Sequence, residues 1–298
     1  MKKALVIGSE GNIGKPLVKH LKYLGYYVKE ADIKPGHRDD YYVADITKPM
    51  DLLKAFEFKP EYVFFLAAMV SRVTCEQSGS MCIDTNLTGT QNVVELTKLV
   101  GAKLINFSTS EVYGPSIEVM DENIEPKPNN RYGLSKLLAE KLVEYEVTYN
   151  NLEAVTLRPF MMCDENEDLG DHRSAMVRFA HNLCLGLPIE VHTGSTRGWM
   201  HVSDAVQAIE AAARYNGDYC VINIGSPDVR PIEELAEMIC DKFNADRSLI
   251  TYNELPDKMT LVKLPVLERQ RELLGIIPKI TLEDIVKRIC SKMKERLL

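Results

Sequence analysis

Ala4-Leu-Val-Ile7-Gly8-Ser-Glu-Gly11-Asn12-Ile13-Gly14 is the stretch that decides the fold. Its four apolar residues form a short buried-strand run. The apolar spacing Ile13, Leu17, Val18, Leu21, Leu24 predicts a helix directly after it. Between the two, Gly8, Gly11 and Gly14 let the chain turn sharply. They also let the backbone N–H groups around Asn12 and Ile13 approach a pyrophosphate at the helix N-terminus. The spacing is G-x-x-G-x-x-G rather than G-x-G-x-x-G. Gly25 ends the helix, residues 27–31 read as the next strand, and Asp32 stands at its end. A carboxylate there accepts from adenosine ribose hydroxyls and repels a 2′-phosphate, which favours NAD over NADP. Lys34, His37 and Arg38 are nearby cations that pull the other way.

Further along, residues 41–44 read as a third strand leading into Asp45-Ile46, and 61–66 as a fourth. Leu66-Ala67-Ala68 closes the fourth strand with small side chains against which a cofactor could lie. A long amphipathic helix over 86–100 begins at Asn86, and a fifth strand over 103–107 runs into Ser108-Thr109-Ser110-Glu111-Val-Tyr-Gly114. Strands alternating with helices imply parallel βαβ units with right-handed crossovers, a doubly wound sheet. Ligands in such sheets bind at the carboxyl ends of the strands, where these loops gather.

Tyr132-Gly-Leu-Ser-Lys136 carries the chemistry. On a helix, residues four apart share a face. A phenol has an ordinary pKa near ~10, and an adjacent ammonium favours the phenolate. An oxidised nicotinamide beside it acts in the same sense. The pair suits removal of a hydroxyl proton while a hydride leaves for a cofactor.

Composition sets limits. A chain of 298 residues with 45% hydrophobic content can build one large domain or two modest ones. A net charge of −7 argues against broad nucleic-acid binding. The strongly apolar run at 62–70 is far too short to span a bilayer, and the start shows no signal-peptide pattern, so a cytoplasmic location is expected. Seven cysteines without a C-x-x-C read as free thiols, and six histidines without ligand spacing predict no metal.

Together, Gly8-x-x-Gly-x-x-Gly14, Asp32, Asp45-Ile46, Leu66-Ala-Ala68, Asn86, Ser108-Thr-Ser-Glu-Val-Tyr-Gly114 and Tyr132-x-x-x-Lys136 resemble the extended short-chain dehydrogenase/reductase family. Within it, they are similar to the NAD-dependent nucleotide-sugar epimerases and dehydratases. The resemblance covers nearly the whole chain.

It implies a Rossmann domain over 1–159 and 194–227, and a smaller α/β substrate-binding domain over 160–193 and 228–298. Gly8, Gly11, Asn12, Ile13, Gly14, Asp32, Asp45, Ile46, Leu66, Ala67, Ala68, Asn86, Ser108, Tyr132, Lys136 and Pro159 would face NAD, the last through the Arg158-Pro159 stretch beside the nicotinamide. Thr109 would join Tyr132 and Lys136 at the sugar hydroxyl, oxidising it at C4. Ser110-Glu111 looks like the pair in 4,6-dehydratases of the GDP-mannose type and UDP-glucuronate decarboxylases, with Glu111 a base at C5. Arg197 would hold the diphosphate of a nucleotide-diphosphate sugar, and Val191 would lie along its base.

Lys263, Arg269 and Arg271 are candidates for a second phosphate-binding cation. The family's Asn-x-x-Gly-Pro is replaced by Met161-Met-Cys-Asp-Glu-Asn166, which leaves the sugar unidentified. Epimerase, dehydratase, decarboxylase and net NAD-dependent dehydrogenase readings stay open. The helices over 86–100 and 131–149 would pair two copies into a homodimer.

Overall fold

The structure is a computed structural model, and it describes residues 1–70, 72–115, 119–170, 174–254 and 260–297. In chain order the elements are β1 (Lys3–Ile7), α1 (Gly14–Tyr23), β2 (Tyr27–Asp32), β3 (Tyr41–Val43), α2 (Pro49–Phe56), β4 (Tyr62–Phe65), α3 (Arg72–Gln77), α4 (Gly79–Ile83), α5 (Gly89–Val100) and β5 (Lys103–Phe107). There follow α6 (Arg131–Asn150), β6 (Glu153–Pro159), β7 (Met161–Cys163), α7 (Ala175–Cys184), β8 (Ile189–His192), β9 (Thr196–His201), α8 (Val202–Arg214) and β10 (Val221–Ile224). The chain closes with β11 (Val229–Pro231), α9 (Ile232–Phe243), β12 (Ile250–Asn253), α10 (Glu268–Leu274) and α11 (Leu282–Leu297). A π-helical turn, Asp84–Thr88, joins α4 to α5, and a 3-10 turn, Ser110–Tyr113, follows β5.

Seven strands form one parallel sheet in the order β10-β6-β5-β4-β1-β2-β3. Both faces are covered, as parallel sheets require. The decisive apolar run shows how. Ala4 and Val6 enter the core beneath α1 and α8, while Leu5 and Ile7 enter the opposite core beneath α2, α5 and α6. Strand alternation divides the run between the two layers. The fold is therefore the expected doubly wound Rossmann sheet.

A separate buried cluster joins α7, α9 and α11 with β8, through Phe179, Leu183, Leu235, Ile239, Ile285 and Ile289. β8 pairs with β12, and β9 lies between β7 and β11. This is the smaller, mainly C-terminal α/β unit.

Two local features depart from the sequence expectations. The helix expected over 86–100 starts in the π turn, and π turns recur at functional sites. β7 and β9 are paired strands where no strand was expected. Helix α8 is capped by His201, whose Nδ1 accepts from the Ser203 N–H at 3.1 Å. Asp204 sits in the first turn of α8, and its carboxylate accepts from the N–H groups of Lys279 and Ile280, pinning the approach to α11. The Thr281 hydroxyl accepts from the Asp284 N–H at the start of that helix.

Candidate active site

A cavity of about 990 Å³ opens along the carboxyl ends of the central strands. Its floor is the turn between β1 and α1. At Gly8, φ is +92° and an added Cβ would stand 2.6 Å from the Ala67 nitrogen. At Gly14 it would stand 2.1 Å from the Gly8 oxygen. Only glycine lets these segments close so tightly. No side chain caps α1, leaving its N-terminus as a site for an anion.

At the far end, the two oxygens of Asp32 accept from the N–H groups of Glu10 (2.8 Å) and Lys34 (3.0 Å). Arg38 stacks on Tyr41 and is spent on Glu10 (2.5 Å) and Glu30 (2.7 Å). Of the three cations that could have drawn a 2′-phosphate, Arg38 is therefore paired with two acids. A glycine cradle that a Cβ would fill, a helix N-terminus and an acid at the strand end fit NAD.

Tyr132 lies in the first turn of α6 and Lys136 one turn on, and both line the cavity with Thr109. Their placement has a local cause. The Asn130 side chain caps α6 by accepting from the Gly133 N–H at 2.8 Å. A Cβ at Gly133 would stand 2.6 Å from the Glu111 oxygen, so the glycine lets α6 press against the turn that carries Thr109 and Glu111. Glu140, on the same helix, grips Arg158 of β6 through a buried two-pronged contact of 3.0 and 2.7 Å.

Burial raises the Tyr132 phenol above its ordinary value, against the lowering effect of the Thr109 hydroxyl. Lys136 is pushed down to about 8 by burial, with Glu140 and Cys82 opposing. In the protein alone, burial dominates over any acidifying effect of the ammonium on the phenol. Among the described residues, Lys136 makes no hydrogen bond to a protein group, and it faces the cavity.

Of the other residues singled out in the sequence, Gly11, Asn12, Ile13, Asp45, Ile46, Leu66, Ala67, Ala68, Ser108, Ser110, Glu111 and Pro159 also line this cavity. Three do not. Asn86 is buried and engaged, accepting from the Met69 N–H (2.8 Å) and donating to Met69 O (3.1 Å) and Ser135 Oγ (2.9 Å), so it braces the wall. Val191 is wholly buried in the C-terminal core. Arg197 donates to the carbonyls of Thr196, Leu261 and Thr260 at 2.7, 2.9 and 2.5 Å. Burial lowers it to about 10, with Glu111 opposing. Its guanidinium makes no ion pair among the described residues.

Glu111 was expected to be a base. Burial raises it, but Lys263, Arg72 and Asn130 together bring it down to about 2. Oε1 pairs with Lys263, Oε2 accepts from Asn130 at 2.9 Å, and Arg72 lies 3.7 Å from Oε2. A carboxylate so held is a poor proton acceptor.

Arg72 and the cavity-lining Met81, Asp84, Thr85 and Thr88 were not singled out from the sequence. Their only sequence signal was proximity to Asn86. Met161 and Met162 line the cavity where the family's Asn was absent.

Among the described residues, one group outside the cavity has metal-ligand spacing, Asp164, Glu165 and His201. The His201 Nδ1 is an acceptor, so its proton is on Nε2 and faces Glu165 at 2.7 Å. The ring is a donor there, not an open ligand.

Residues 4–225 match the model of the NAD dependent epimerase/dehydratase family. UDP-glucuronic acid decarboxylase 6 of Arabidopsis thaliana is 28% identical over 304 residues, spanning 95% of this chain and 86% of the plant protein. UDP-N-acetyl-alpha-D-glucosaminuronate decarboxylase of Bacillus cytotoxicus is 25% identical, covering 99% of this chain and 98% of that one. The UDP-glucose 4-epimerase of Thermotoga maritima, solved with UDP-glucose, superposes with a TM-score of 0.92 at 24% identity, over 99% of this chain and 100% of that one. These structural likenesses carry the fold. With the family model matched over well more than half its length, the chain belongs to the NAD-dependent epimerase/dehydratase family.

Proposed function

We propose that the protein oxidises the C4 hydroxyl of a nucleoside-diphosphate sugar, alters the transient ketone, and reduces it again, an epimerase/dehydratase-type reaction that returns its NAD unchanged. The observation that carries this reading is Tyr132, Lys136 and Thr109 opening into the same cavity as the glycine cradle. NAD, held by Gly8, Gly11, Gly14 and Asp32, supplies a hydride acceptor that gives back what it takes. The Thr109 hydroxyl orients the sugar hydroxyl, Tyr132 takes its proton, and Lys136 stabilises the resulting phenolate.

We assign NAD binding to residues 1–159 and 194–227 and sugar-nucleotide binding to 160–193 and 228–298, supported by the separate cluster around α7, α9 and α11. Arg197, a guanidinium with no ion pair among the described residues, suits the diphosphate.

A second reading, decarboxylation of a uronate, is favoured by one feature. Elimination needs a base at C5, and Glu111 is bound at both oxygens and strongly acidic. Loss of a carboxylate needs none. The plant and bacillus relatives are named for that activity.

We also propose a homodimer through α5 and α6, whose Leu99, Leu134, Leu138, Tyr145 and Tyr149 are exposed. Among the described residues no helix is long and apolar enough to cross a membrane. Seven free cysteines support a reducing, cytoplasmic setting.

Incubation with UDP-, GDP-, CDP- and dTDP-sugars, UDP-glucuronate included, followed by NMR, tests the proposal. Turnover of a UDP-sugar without added cofactor, with stoichiometric NAD released on denaturation, is expected. Turnover only with a continuous supply of fresh cofactor would establish net redox chemistry instead.

A further inference from the structure

At the adenosine end of the cavity, one residue inside the glycine turn gathers the nearby cations. Glu10 Oε1 accepts from Arg38 Nη2 at 2.5 Å, and its other oxygen lies 3.4 Å from the Lys15 ammonium on α1. The Glu10 carbonyl accepts from Lys34 Nζ at 3.4 Å. Burial would raise the Glu10 carboxyl, but Arg38 and Lys15 hold it below its usual range, so it is charged at neutral pH. The Glu10 N–H in turn donates to Asp32 Oδ2 at 2.8 Å. Glu10 therefore touches both the acid that suits a ribose and two of the three cations that would suit a 2′-phosphate. The loop that carries Arg38 is held by Tyr41. Its hydroxyl donates to Lys34 O at 2.5 Å, its ring lies 4.6 Å from the Arg38 guanidinium, and an added Cβ at Gly36 would stand 2.6 Å from that ring.

We propose that Glu10 is a positioning residue for cofactor choice: it holds Arg38 in an ion pair, so that no guanidinium is available to a 2′-phosphate beside Asp32. Selectivity for NAD then has two layers. Asp32 repels the extra phosphate, and Glu10 withholds the group that would attract it. Removing repulsion alone does not create a binding site, because a phosphate taken from water needs donors to replace its hydration. Arg38 could supply them. Its contacts with Glu10 and with Glu30 (2.7 Å) both run through Nη2, and Glu30 is also paired with Lys22 at 2.7 Å. With the Glu10 charge gone, the half-exposed guanidinium keeps Glu30 as an anchor and has Nε and Nη1 for a forked contact with phosphate oxygens. Neither layer suffices to explain the other, so the two acids should act non-additively.

The test strips the full chain of cofactor and titrates it with NAD and with NADP by calorimetry. Separately, the dinucleotide that each variant carries through purification is identified after denaturation. Wild type, Glu10→Gln, Asp32→Ser, the double variant Glu10→Gln/Asp32→Ser, and that double variant with Arg38→Met added are compared. Gln keeps the size of Glu, and the contacts of residue 10 with Asp32 and Lys34 are made by its main chain, so the turn keeps its shape. Each single variant should bind NADP no more than about tenfold better than wild type, because in one Asp32 still repels and in the other Arg38 is still held. The double variant should bind NADP at least about tenfold more tightly than the two single changes multiplied together predict. Adding Arg38→Met should remove that extra gain.

A double variant whose NADP affinity is the simple product of the single changes would overturn the role of Glu10. So would an extra gain that survives Arg38→Met, since relief of repulsion alone would then account for it. Equal loss of NAD and NADP in Glu10→Gln would make Glu10 a structural part of the turn and overturn the proposal as well. Wild type that binds NADP as tightly as NAD would overturn it at the outset. No sugar enters the assay, so the result stands apart from whichever nucleotide sugar the protein acts on.

Discussion

Tyr132→Phe is expected to cut turnover by about 10³-fold or more while the protein stays folded and keeps its NAD. The phenyl ring fills the space of the phenol, so α6 and the turn it packs against are undisturbed. Only the hydroxyl beside Thr109 is lost, and with it the group that takes the sugar proton. Neither neighbour can substitute. Thr109 Oγ1 already accepts the Glu111 N–H at 3.2 Å, and a hydroxyl of its type is far too weak a base. Lys136 is in place but one turn further along the helix. Product formation against NAD released per chain checks this. A variant turning over within tenfold of wild type would remove Tyr132 from the reaction.

Glu140→Ala is expected to destabilise the fold by about 3–5 kcal/mol, the usual cost of breaking a buried ion pair from one side. Both partners are nearly inaccessible, at 5% and 4% for the two side chains. Arg158 Nη1 already lacks a hydrogen-bond partner, and the guanidinium lies 4.8 Å from the Tyr113 ring centroid, so the orphaned charge has nowhere to go. The pair also ties α6 to β6, so residual activity should fall with stability. Denaturant unfolding of wild type, Glu140→Ala and the double variant Glu140→Ala/Arg158→Met checks the argument. The double variant should recover part of the loss, because an uncharged side chain needs no partner. No recovery would show that Arg158 contributes chiefly by packing.

Much of this was legible before any coordinates. The glycine spacing over 8–14, the buried runs and the helix over 131–149 fix the Rossmann layers, because each is a local pattern with one physical reading. The lining of the cavity by Asp32, Ala67, Thr109, Tyr132 and Lys136 follows from the rule that ligands gather at strand ends.

What was hidden depends on distance along the chain. Lys263 meets Glu111 across 152 residues, and no periodicity announces that contact. Val191 alternates as any strand residue does, and only the position of α9 decides which face is core. Glu111 looked like a base because its type and place suit one. Its three partners, unseen in sequence, hold it as a carboxylate. β7 and β9 are three and six residues long, too short and too mixed to read as strands.

The central claim is that the Tyr132 phenol becomes a proton acceptor only when a positive cofactor joins Lys136 beside it. Burial raises the phenol in the protein alone, and an added positive charge favours the phenolate, so the shift on binding must be downward. The direct measurement is the ultraviolet phenolate titration of wild type minus Tyr132→Phe, with and without NAD. The account predicts a midpoint above the ordinary ~10 for a phenol in the protein alone, moving below it when NAD is bound. A midpoint that does not move on binding, or that rises, would contradict it.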